Sequence, residues 1–185
     1  MKAVFILGSP RKNGNTARIS GEITRGLQEQ GVTVKVFTLS DLSIKYCMGD
    51  KACNETGVCI HNDDAYEIVR AMYESQLVIV ASPSYWGDVT AQMKTFIDRT
   101  TPFSNTNPAR KLCSSGAKGI AVAIRAGNSK KENNDIIHTI EHFLGHHDIP
   151  LISSFTVEGL DTPEDLTNRP EVLQDAHRFG KSIVV

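Results

Sequence analysis

The stretch Ala3-Val4-Phe5-Ile6-Leu7-Gly8-Ser9-Pro10-Arg11-Lys12-Asn13-Gly14-Asn15-Thr16 sets the terms for the rest of the chain. Five apolar residues of strand length run into a polar loop, and an amphipathic segment follows at once. Over 15–30 the residues Ile19, Ile23 and Leu27 recur at steps of four, which is a helical stripe, and Gly31 stands where a helix stops. The pattern opens a βα unit. Working outward, strand-length apolar runs recur at 32–39, 77–81, 119–124 and 151–157. Helical patterns lie between or after them at 63–75, 90–100, 134–145 and from Glu171 to the C-terminus, where the closing residues Ser182 to Val185 could equally pair as a strand. Asp63 and Asp64 offer an N-cap for the first of these. The run Leu77-Val78-Ile79-Val80-Ala81 is apolar on both faces, as a central parallel strand requires. Five strands separated by helices need right-handed crossovers, so the sequence predicts one α/β domain over 1–185 with a parallel sheet covered on both faces. The segment 103–115, rich in Asn, Pro and Ser, reads as a mobile surface loop.

Composition narrows the partners. A 185-residue chain with 40% hydrophobic and 22% charged residues can bury a single substantial core. Lys and Arg number 20 against 21 Asp and Glu, a net charge of -1, so the chain has no global basic footprint for nucleic acid or anionic membrane. A small molecule is the expected partner. No apolar run approaches the roughly 20 residues that span a bilayer, and the opening MKAVFILGSP lacks a long apolar core and a small-residue cleavage site, so a cytoplasmic location is expected.

The loop after the first strand lies at a helix start, whose unpaired N–H groups and positive dipole end suit a phosphate. Ser9, Asn13, Asn15 and Thr16 are short polar side chains, and Arg11 adds a charge. A Walker A loop has its glycines five apart followed by Lys, whereas Gly8 and Gly14 are six apart and Asn15 follows. The dinucleotide fingerprint fails as well, with Pro10 and Asn13 where glycines belong. A monophosphate fits better. After the third strand comes SPSYWGDVTAQMKTFIDR, residues 82–99, with the sole tryptophan beside a tyrosine at the carboxyl end of a central strand. In doubly wound sheets that end, near the first and third strands, is where ligands bind.

With GSPRKNGNT at 8–16, the cysteine stretch 47–64 and residues 82–99, the chain resembles the NADPH-dependent FMN reductase family of flavodoxin-like proteins. The resemblance implies a flavodoxin-like doubly wound sheet of order 2-1-3-4-5. It implies that Ser9, Arg11, Asn13, Asn15 and Thr16 hold the FMN phosphate, and that Pro83, Ser84, Tyr85, Trp86 and Gly87 pack on the flavin ring. A third flavin loop would be Arg125, Ala126, Gly127 and Asn128, a weaker match. It also implies a homodimer or homotetramer. The expected activity is an oxidoreductase in which NADPH or NADH reduces FMN and a quinone, a metal complex or free flavin accepts the electrons. The cofactor carries the chemistry, so no catalytic side chain is assigned. The alternative is an electron-carrying flavoprotein that docks with a protein redox partner.

Two clusters need their own reading. In the iron-sulfur flavoprotein branch of the family, the stretch matching 47–64 carries four cysteines that ligate a [4Fe-4S] cluster. Here Cys47, Cys53 and Cys59 remain, and Asp50 stands in the second position. Iron-sulfur clusters are held by thiolates, so ordinary reduced cysteines are the expectation; the lesser alternatives are a labile cluster on Cys47, Cys53 and Cys59 completed by Asp50, an outside ligand or Cys113, and zinc on the three thiolates with a carboxylate or His61. His138-Thr139-Ile140-Glu141-His142 matches an H-x-x-E-H zinc pattern, but both histidines lie opposite the apolar stripe of Ile140, Phe143 and Leu144 and should face solvent. No metal is assigned.

Overall fold

The computed structural model describes residues 1–114 and 116–183. In chain order its elements are β1 (Lys2–Leu7), α1 (Asn15–Glu29), β2 (Thr33–Thr38), α2 (Ala52–Thr56), α3 (Ala65–Tyr73), β3 (Leu77–Pro83), α4 (Ala91–Arg99), β4 (Lys118–Ile124), α5 (Lys130–Gly145), β5 (Leu151–Val157), α6 (Pro163–Thr167) and α7 (Pro170–Ser182). The five strands form one parallel sheet in the order β2-β1-β3-β4-β5. This is the flavodoxin-like order expected above. It places β1 and β3 side by side although the chain leaves them toward opposite sheet edges, and a crevice opens beyond their carboxyl ends.

Alternation along the central strands sorts the core into two layers. Val4, Ile6, Val78, Val80, Ala121 and Ala123 pack with residues of α3, α4 and α5. Phe5, Leu7, Ile79, Ile120, Val122 and Ile124 face the other way, against α1 and α7. The α1 stripe of Ile19, Ile23 and Leu27 is fully buried there. α1 and α7 approach closely: a Cβ on Gly180 would lie 2.2 Å from the Ile23 carbonyl oxygen, and one on Gly26 would lie 2.3 Å from that of His177.

Several local expectations needed revision. α5 begins at Lys130, ahead of the expected 134, with Ser129 as its N-cap residue and buried Asn133 of its first turn donating to the Val157 carbonyl. The short helices α2 and α6 were absent from the sequence reading; α6 is set by a capping box in which the Thr162 N–H and the Asp165 carboxylate pair. Asp64 does not cap α3 with its side chain, which instead takes the Ser43 N–H at 2.7 Å. The segment 103–115 is tied down rather than free: Asn107 is buried and donates to the carbonyl oxygens of Pro102 and Cys53, and Arg110 pairs with Asp148. Ser115 of that segment, and Val184 and Val185 of the closing stretch expected from Glu171 onward, lie outside the described residues.

Candidate functional site

The base of the crevice is a set of backbone ties between loops. The Gly8 N–H donates to the Ala81 carbonyl, and the Ser84 N–H to that of Ile124 at 2.7 Å. Thr90, fully buried, bridges two loops: its hydroxyl donates to the Gly8 carbonyl at 2.7 Å, and its own N–H donates to Ser82 Oγ at 3.0 Å. The same hydroxyl accepts the Met93 N–H and so caps α4. Thr90 thus fixes the loop after β1 to the loop after β3.

On this base the chain turns Tyr85-Trp86-Gly87-Asp88 into a tight hairpin. Tyr85 and Asp88 exchange both backbone hydrogen bonds, at 2.9 and 3.2 Å. Trp86 and Gly87 have φ of 54° and 80°, the left-handed pair of a two-residue hairpin turn, which costs glycine nothing and tryptophan something. Asp88 accepts from Val89 N–H and from the Thr139 hydroxyl of α5, which anchors the hairpin. Trp86 is left fully exposed and Tyr85 partly so. An apolar ring held in water by a strained turn is poised for contact rather than for the core.

One cleft is lined by Ser9, Arg11, Asn15 and Thr16 after β1, by Pro83, Ser84 and Tyr85 after β3, and by Arg125 and Ala126 after β4. Leu160 and Asp161, after β5, complete it; the sequence reading missed them. An adjoining hollow is lined by Ser84, Tyr85, Trp86, Arg125, Ala126 and Glu132. Asn13 is exposed at the loop tip, and Asn13, Gly87 and Gly127 line neither. Gly14, the N-cap residue of α1, offers no side-chain cap, so the first N–H groups of the helix lie open at the cleft.

The cleft also holds two buried polar atoms without a protein partner, Asn15 Oδ1 and Arg125 Nε. Asn15 is held through its amide, which donates to the Thr162 carbonyl at 2.8 Å. Arg125 is held through one outer nitrogen, Nη1, which donates to Glu132 at 2.9 Å and to the Ser129 carbonyl at 3.2 Å, while the Ser84 hydroxyl reaches the same Glu132 oxygen at 3.4 Å. A Cβ at Gly127 would lie 2.6 Å from the Arg125 guanidinium, so only glycine lets that side chain fold back here. A buried acceptor, a buried donor and an open helix start in one cleft suit a phosphate ester bearing hydroxyl and carbonyl groups.

The cysteine loop is a separate structure. All four cysteines are free thiols, Cys47 and Cys113 exposed, Cys53 and Cys59 half-buried. Burial raises the Cys53 thiol above its ordinary pKa, and the nearby Cys59, Asp50 and Cys47 add to the effect. Asp50 turns its carboxylate onto the Ala52 N–H at 2.9 Å and so starts α2. Buried Arg99 staples the loop to α4, donating to both oxygens of Asp63 (2.7 and 3.2 Å) and to the carbonyls of Lys45 and His61. Burial alone would raise the Asp63 carboxyl, but the hydrogen bonds from Arg99, Lys45 and Ala65 outweigh it and hold it below the ordinary value. On α5, His138 and His142 are exposed as expected, and the close pair is His142 with His146, 3.2 Å apart. Among the described residues, no three His, Cys, Asp or Glu side chains come together as a metal site.

A family model described as NADPH-dependent FMN reductase matches residues 1–154. The chain belongs to that family. Among the relatives of this FMN reductase family member is an iron-sulfur flavoprotein of Archaeoglobus fulgidus, 42% identical over 71% of this chain and 58% of that protein, so the match spans under two thirds of the relative's length. An iron-sulfur flavoprotein of Methanocaldococcus jannaschii is 31% identical over 99% of this chain and 95% of its own. In fold, the chain is similar to an NAD(P)H:quinone oxidoreductase from Methanothermobacter marburgensis, with a TM-score of 0.72 at 16% identity over 98% of this chain and 96% of that one.

Proposed function

We propose that the protein is an FMN-dependent oxidoreductase that takes hydride from NADPH or NADH and passes electrons to a small acceptor such as a quinone, a metal complex or free flavin. The observation that carries this reading is the convergence of four loops on one cleft whose buried Asn15 Oδ1 and Arg125 Nε are unpartnered. FMN, when bound, supplies the hydride exchange; the protein binds and orients it. Ser9, Asn15, Thr16 and the open start of α1 receive the phosphate, with Arg11 and Asn13 at the rim. Arg125 offers a donor to the polar edge of the ring, and Pro83 to Gly87 supply the surface along its plane. No side-chain acid or base is asked to react. The reading also includes a cytoplasmic homodimer or homotetramer, because fully exposed Trp86 beside the cleft is a surface a second subunit would cover.

The absorption spectrum of protein loaded with FMN, followed by steady-state oxidation of NADPH and NADH with a quinone, tests the reading. Flavin bands, a preference for FMN over FAD and rapid quinone-dependent turnover are expected. Protein that takes up no FMN would sink the cofactor assignment. Bound flavin reducible only by a protein donor would sink the enzyme and favour an electron carrier. A monomer by light scattering at working concentration would remove the oligomer.

A further inference from the structure

The relatives named above are iron-sulfur flavoproteins, and the donor set of this chain departs from what such a cluster requires. A [4Fe-4S] cluster takes four thiolates. The chain has four cysteines in all, and three of them, Cys47, Cys53 and Cys59, lie in one loop with Asp50 among them. The fourth, Cys113, is exposed and acts electrostatically on Tyr73 and Arg110, and it is not among the groups that act on the Cys53 thiol. The remaining candidate ligand, Asp50, is a hard carboxylate with one oxygen already committed to the Ala52 N–H as the start of α2. The three thiols do not converge with it as a metal site.

We infer that this chain is a single-centre flavoprotein whose Cys47–Cys59 loop does not retain a [4Fe-4S] cluster, and that Asp50 is the residue that decides it. The flavin is then the single redox centre, and electrons pass from the cleft to the acceptor with no second centre between them. The loop keeps its fold without iron, since Arg99 with Asp63 and Asn107 with the Cys53 carbonyl brace it from α4 and from the segment before β4. The inference concerns the loop and holds whether or not the donor and acceptor proposed above are right.

The test is anaerobic reconstitution of the whole chain with ferrous iron and sulfide, then gel filtration and assay of iron, acid-labile sulfide and flavin separately. Wild-type protein is expected to keep less than about one iron per chain and to show no broad shoulder beyond the flavin bands. Asp50→Cys is expected to keep about four irons and four sulfides, and adding Cys53→Ser to it should abolish them. Circular dichroism and FMN uptake show that each variant is folded. Near four irons in the wild type, lost in Cys53→Ser, would overturn the inference. Folded Asp50→Cys that stays as empty as the wild type would overturn the role given to Asp50. Flavin content moves with neither result, so failure here and failure of the flavin assignment are told apart.

Discussion

Asn15 does two jobs with one side chain, and only one of them is satisfied within the protein: its amide holds the Thr162 carbonyl, and its buried oxygen waits for a donor. Replacing Asn15 and Thr16 together by Val removes polar groups from the start of α1 while leaving its hydrophobic face alone. FMN affinity, read by quenching of flavin fluorescence, should fall about 100-fold or more, since hydrogen bonds to a charged group are worth about 1.5–3 kcal/mol each. Urea midpoints should change far less; unchanged affinity would take the phosphate out of this loop. Glu132 makes a subtler case, because it touches the cleft through Arg125 and Ser84. Glu132→Gln should free the guanidinium to turn away from the cleft and weaken FMN by a few-fold. Arg125→Gln should weaken it about tenfold and also lower the flavin reduction potential, measured by dye equilibration. A potential unmoved in Arg125→Gln would place that guanidinium away from the ring's polar edge.

At the scale of elements, the cleft rests on the fit of α1 against α7. Gly180→Ala must push a methyl group into the Ile23 carbonyl, so the two helices have to separate. A loss of about 2–3 kcal/mol in urea unfolding is expected, with FMN binding weakened if the loop at the start of α1 holds the phosphate as proposed. Stability equal to the wild type would mean the helices are not in contact as described. Much of this architecture could be read in advance. Runs such as 77–81 announce a central strand by being apolar throughout, and the β1 loop and the Tyr85–Trp86 segment announce themselves by what they put at the ends of strands. Other parts left no such trace. α2 and α6 are five residues each, too short for a periodic stripe. Thr90 looked like any helix-starting threonine, since its link to Gly8 joins residues 82 positions apart. Leu160 and Asp161 reach the cleft because β5 follows β4 in the sheet, which no local pattern encodes.

For the whole molecule, one buried base contributes to the loss of stability in acid. His147 sits between Tyr73 and Thr100, bonded to both hydroxyls at 2.6 and 3.0 Å. Burial, with help from His146 and Arg110, lowers its pKa from 6.5 to about 4. Below pH 6.5 the unfolded chain takes up this proton and the folded one does not, so the residue's contribution to stability falls as pH drops from about 6.5 to about 4 and levels off beneath. The loss amounts to roughly 3 kcal/mol at most. Urea unfolding at pH 7 and pH 4.5 should differ by less in His147→Asn than in the wild type; equal differences would relieve His147 of the role. Circular dichroism has to follow these transitions, for a reason that lies in the hairpin. Within a single chain the one tryptophan is already in water, so unfolding that chain gives its emission no red shift, and a red shift on denaturing the native protein would report the loss of a subunit that covered the hairpin. Native fluorescence instead watches one place, the mouth of the cleft, and an isoalloxazine ring arriving there would accept its excitation and darken it. The hairpin would thus report what covers the mouth of the cleft, subunit or flavin, rather than the state of the core.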